Sequence, residues 1–78
     1  MIDYEHVVRR AISEEFHVPV DKVQSQTTAR DVPGWDSFSH GSLVMRIEAE
    51  LGVELPLEEA ISAANVGELI AIVGRALR

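Results

Sequence analysis

The first recurring pattern of apolar positions is Tyr4, Val7, Val8, Ala11, Ile12 and Phe16. Spacings of three and four place these side chains on one face of a helix. The pattern predicts a helix from Tyr4 to His17, with Asp3 as its N-cap. Pro19 stops it, because the residue before a proline avoids the α region. Residues 18–36 then lose the period and carry Pro19, Pro33 and Gly34. They read as a long connection, with Val18, Val20 and Val23 expected to pin it to the core. A loop of this length in a small domain is usually functional.

Period returns after Asp36, which can cap a second helix with its carboxylate. Leu43, Ile47 and Leu51 are spaced to face a core, with Val44 on the flank, and Gly52 is a natural glycine terminator. Phe38 and Met45 lie about 20° apart on the helical wheel, because seven residues is nearly two turns. Phe38 is about 140° from Leu43 on the same wheel, so the helix carries two apolar stripes that cannot face one core. Val53-Glu54-Leu55-Pro56 reads as extended, and Leu57 to Ile61 as a short third helix. Asn65-Val66-Gly67-Glu68 has the form of a capping box. It opens a last helix running towards Leu77, with Val66, Leu69, Ile70, Val73 and Leu77 as its stripe. The expected fold is all-α: a small four-helix bundle, three main helices plus one short one, with a long first loop. Residues 1–78 form one domain in this reading.

Composition narrows the function classes. The chain has 78 residues and a formal net charge of −6. Residues 1–30 sum to −1, residues 31–59 to −6 and residues 60–78 to +1. An acidic balance argues against nucleic acid, whose phosphates need a basic face. It argues equally against an anionic membrane surface and favours partners with basic patches. Cysteine is absent, so neither a disulfide nor a protein thiolate is available. The start of the chain lacks a charged-then-apolar signal pattern, and no apolar run reaches the roughly 20 residues that span a bilayer. A cytoplasmic monomer is the expectation. The opening methionine and the end close behind the last helix suggest a discrete protein.

The most informative stretch is Gly34-Trp35-Asp36-Ser37-Phe38. It places Ser37 at the very start of a helix, where backbone N–H groups are unpaired and the dipole is positive. A phosphate esterified to Ser37 would be favoured there. Taken alone, the Asp-Ser dipeptide reads as ordinary N-terminal capping rather than as a modification site.

The wider pattern adds more. Gly34 before Asp36-Ser37-Phe38, Leu43-Val44-Met45, Ile47-Glu48, Leu51-Gly52-Val53, Leu55-Pro56, Glu58-Glu59-Ala60 and Val66 together resemble the acyl carrier protein family. Phe38 stands where the family's motif usually has leucine. The likeness spans Tyr4 to Leu77 and is most specific from Gly34 to Val66. It implies that Ser37 carries a covalent 4′-phosphopantetheine arm, taken from coenzyme A by a Mg²⁺-dependent phosphopantetheinyl transferase. It implies a non-catalytic carrier that moves thioester-bound groups between a loading enzyme and a downstream synthase or transferase. The missing thiol would arrive with the arm. By the same likeness, the second helix is the docking surface, with Asp36 and Glu48 as acidic and Phe38 and Met45 as apolar contacts. The alternative for Phe38 and Met45 is packing under the loop.

Several positions depart from the family. Its fatty-acid members usually have acids where Ser39 and Ser42 stand, and neutral or acidic residues at Arg46 and Ala49. This shifts the expectation from bulk fatty-acid synthesis to a dedicated polyketide or other secondary pathway. The alternatives are an aminoacyl or peptidyl carrier, although such carriers more often have His-Ser, and an unmodified acidic helical interaction module. Gly41 replaces a branched apolar residue; it either opens room beside the arm or is a tolerated surface glycine. Trp35 is read as packing on neighbouring helices rather than contacting the transferase. His40 lies three residues after Ser37, but no Gly-x-Ser-x-Gly elbow accompanies it, and so small a bundle is expected to have no deep substrate pocket. No catalytic residue is assigned. His6, His17 and His40 lack metal-ligand spacing and are expected to be solvated or partner-facing, leaving no metal site. Glu58-Glu59 reads as a solvated face.

Overall fold

A computed structural model describes residues 3–78; the first two residues of the expected 1–78 domain lie outside that range. Four α-helices form: α1 Tyr4–Phe16, α2 Ser37–Leu51, α3 Leu57–Ser62 and α4 Val66–Ala76. Two single 3₁₀ turns, Val20–Lys22 and Ala29–Asp31, break the long first loop. The described residues contain no strand, in accord with the expected all-helical bundle. No helix among them is long and apolar enough to cross a membrane.

α1 packs against both α2 and α4, while α3 bridges α2 and α4. α2 and α4 meet through side chains in the core, and the six-residue α3 covers one side of the bundle together with buried Leu55. The core is aliphatic: Val8, Ala11 and Ile12 of α1 meet Leu43, Val44 and Ile47 of α2 and Val66, Leu69, Ile70, Ile72 and Val73 of α4. These are the stripes the periodicity marks, with Ile72 as an addition. Leu51 and Leu77 are half-buried at the ends.

Local stops are physical. α1 ends one residue earlier than the pattern suggests, because His17 adopts the left-handed conformation (φ 57°) and donates its N–H to the Ser13 carbonyl. Gly52 ends α2 in the same conformation, at φ 66° and without the Cβ that makes it costly. Asp3 caps α1 by accepting the His6 N–H at 3.1 Å.

The loop is less passive than its composition suggests. Val23 is buried and Val18 half-buried, but Val20 is 37% exposed and pins nothing. Its place is taken by Val32 and by Thr27, the one buried polar residue among those described. The Thr27 hydroxyl accepts the Gln24 N–H at 2.9 Å and donates to the Lys22 carbonyl at 3.3 Å. The loop backbone then caps α4: Val66 N–H donates to Thr27 O at 2.9 Å and Gly67 N–H to Ser25 O at 2.8 Å. Asn65 accepts the next amide, that of Glu68, at 2.8 Å. The expected capping box is shifted, since Glu68 Oε1 accepts from the Ala64 N–H rather than from Asn65. Three of the four orphan amides of α4 are thus satisfied.

Candidate functional site

The start of α2 is built by a reciprocal cap. Asp36 Oδ1 accepts the Ser39 N–H at 2.9 Å, and Ser39 Oγ accepts the Asp36 N–H at 2.8 Å. Ser39 Oγ also donates to Gly34 O at 2.9 Å, which ties the Gly34 turn (φ 88°) to the helix. The Ser39 backbone N–H, and then its hydroxyl, hold the Asp36 carboxyl below the usual aspartate range. Ser39 is therefore occupied by the cap. Ser37 is not: it is the first residue of α2, is exposed, and its hydroxyl makes no hydrogen bond to the described residues.

Ser37 borders a groove of about 670 Å³ between α2 and α3, floored by Val44, Leu55 and Leu69 and rimmed by Met45, Leu57 and Ile61. The expected absence of a deep substrate pocket stands beside this open, apolar groove. The opening lies between α2 and the short α3, above the side chains through which α2 and α4 pack. Its volume falls within the range of small-molecule sites, roughly 300–1,000 Å³. Gly41 lines it, and a Cβ there would meet no atom within 4 Å.

The second apolar stripe of α2 is free. Phe38 is 86% and Met45 69% exposed, so neither packs under the loop. Leu57 and Ile61 of α3 are also mostly exposed. Arg46 pairs with Glu14 and, at 3.5 Å, with Glu15 of α1, and along α2 with Glu50 at 3.8 Å. Glu48 is shared between surface and fold, because its Oε2 accepts the Leu55 N–H at 2.8 Å and clasps the extended segment. Of the Glu58-Glu59 pair, Glu59 meets Arg75 at 3.2 Å.

Trp35 packs inward as expected, stacked on Phe16 with ring centroids 5.2 Å apart and on His40 at 5.9 Å. His40 departs from the expectation of a solvated or partner-facing ring; His6 and His17 are exposed. Its Nδ1 accepts the Trp35 Nε1–H at 3.0 Å, and its Nε2 lies 2.6 Å from the Ala60 carbonyl of α3. Sequence spacing links Trp35 to His40 across one turn but carries no sign of Ala60, twenty residues on.

A phosphopantetheine attachment site model matches residues 6–73 of the chain. The chain belongs to this family of carrier proteins. It is also similar in structure to the holo acyl carrier protein of Geobacter metallireducens, solved in solution, with a TM-score of 0.82 and 25% identity over 97% of this chain and 87% of that one. As a carrier of the acyl carrier type it bears a covalent phosphopantetheine and is not an enzyme. Its partners include a phosphopantetheinyl transferase and acyl-handling enzymes. The site fits the group: an exposed, unengaged hydroxyl stands at the positive end of a fifteen-residue helix, beside an apolar groove.

Proposed function

We propose that residues 1–78 act as one carrier unit whose arm is attached to Ser37. The supporting observation is that Ser37 has an exposed, uncommitted hydroxyl at the start of α2, while the hydroxyl of the neighbouring Ser39 is spent in the cap. The first-turn amides and helix dipole favour the phosphodiester there. The arm's terminal thiol supplies the thioester link that a chain without cysteine lacks. The residues themselves hold the attachment point, orient it over the groove and present the docking face.

That face comprises Asp36, Phe38, Met45 and Glu48. Asp36, Phe38 and Met45 are supported by exposure, and half-buried Glu48 by its place near the end of the same helix. Arg46 is neutralised by α1, and Ser42 is uncharged, so the middle of the face is apolar rather than acidic. This favours service in a dedicated polyketide or other secondary pathway over bulk fatty-acid synthesis. The lack of cysteine favours a reducing compartment, the cytoplasm.

The attachment is tested by incubating the purified protein with coenzyme A, Mg²⁺ and a broad-specificity transferase, then weighing it. The expected result is a gain of one phosphopantetheine that vanishes in Ser37→Ala and persists in Ser42→Ala. No gain, or a gain retained by Ser37→Ala, overturns the assignment.

A further inference from the structure

α3 is the thinnest part of the bundle and forms one wall of the groove. Only Ala60 of its six residues is buried, and no side chain caps its start. The Ala60 carbonyl would ordinarily bond the amide four residues on, but the Ala64 N–H is turned to Glu68. A short helix thus ends with an orphan acceptor, a costly group to leave unpaired near the core. His40 supplies the donor.

The direction of that bond is fixed chemically. An indole N–H can only donate, so Trp35 makes His40 Nδ1 the acceptor. A carbonyl can only accept, so Nε2 carries the proton and gives it to Ala60 O. The ring is further held by Trp35, which is itself stacked on Phe16 of α1. A rigid chain of contacts therefore runs from α1 through Trp35 and His40 to α3. It crosses α2 one turn beyond Ser37.

We propose that His40 is a positioning residue for the carried group: held by Trp35 as the Nε2–H tautomer, it latches α3 to the attachment end of α2 and so sets the opening of the groove beside Ser37. The reference to a carried group rests on the carrier reading; the latch itself does not.

The two are separated by measuring first on protein without an arm. Amide hydrogen exchange is followed in wild type, His40→Leu and His40→Gln. A glutamine amide keeps one donor and one acceptor, whereas leucine keeps neither. His40→Leu is expected to speed exchange in α3 by about tenfold relative to α1 and α4, the loss of one net hydrogen bond. His40→Gln should restore most of the protection. In wild type, the ¹⁵N shifts of the His40 ring should report the Nε2–H form, and Trp35→Phe, which keeps the stack and deletes the N–H, should mix in the other tautomer. The same variants are then loaded from octanoyl-CoA by the transferase and treated with hydroxylamine. The thioester of His40→Leu should be cleaved several-fold faster than that of wild type or His40→Gln.

The latch is overturned if His40→Leu leaves α3 exchange unchanged, or raises it equally throughout the bundle, or if the ring is the Nδ1–H tautomer. Equal cleavage rates in all loaded variants would overturn its role in setting the groove. Failure of octanoyl-CoA to modify Ser37 would count against the carrier reading alone.

Discussion

The two sides of the bundle are built to different standards. Where α1, α4 and the long loop meet, apolar side chains are buried, the first amides of α4 are capped by loop carbonyls, and even the loop threonine is satisfied twice. Where α2 meets α3, Phe38, Met45, Leu57 and Ile61 stand in solvent, a groove remains open, and the short helix is held by a handful of polar contacts. Both sides carry large apolar side chains. The difference lies in what covers them, and it marks the first side as scaffold and the second as working surface.

Substitutions can break that contrast. The largest effect belongs to the scaffold: Ile47→Ala, at a fully buried site, should cost about 2–5 kcal/mol in chemical denaturation. A loss below 1 kcal/mol would mean the core is looser than its packing indicates. A smaller loss is expected for Asp36→Ala, which removes the cap of α2, whereas Asp36→Asn should keep it. The same cap has a pH signature. Because the folded carboxyl titrates below its unfolded value, its contribution is complete above the ordinary aspartate range and is lost as pH falls below about 4. Asp36→Asn should remove this portion of the acid transition and also slow electrostatic docking, separating fold from recognition.

His17→Gly should raise stability by about 1 kcal/mol, since a left-handed non-glycine residue is replaced where φ is 57°. The smallest stability change, within about 0.5 kcal/mol, is expected for Met45→Ala. That variant should nevertheless reduce the rate of transferase loading. If Met45→Ala destabilises the bundle and leaves loading intact, the division into scaffold and working surface is wrong.

Much of the scaffold was legible in the sequence because a buried helix face imposes a strict period, as at Val8, Ile12, Leu43, Ile47, Leu69 and Val73. The second stripe of α2 was legible for the same reason: Phe38 and Met45 share a side that Leu43 does not. Contacts between distant residues were not. His40 looks like any polar residue on an amphipathic helix until Ala60 O is seen beside it. Val20 and Val32 are alike in sequence, and only the 3₁₀ turns decide which one enters the core. The groove is not legible because it depends on how far the short α3 stands from α2, and no single residue encodes that spacing.

The capping of α4 by Thr27 and Ser25 carries a practical consequence for anyone re-engineering the chain. Surface loops are the usual place to graft a peptide or insert a label. Here, residues 24–28 are poor territory, because lengthening them would withdraw two carbonyls from a helix that starts some forty positions later. A label is better attached by substitution at Arg30, which is exposed and whose side chain makes no hydrogen bond or ion pair to the described residues.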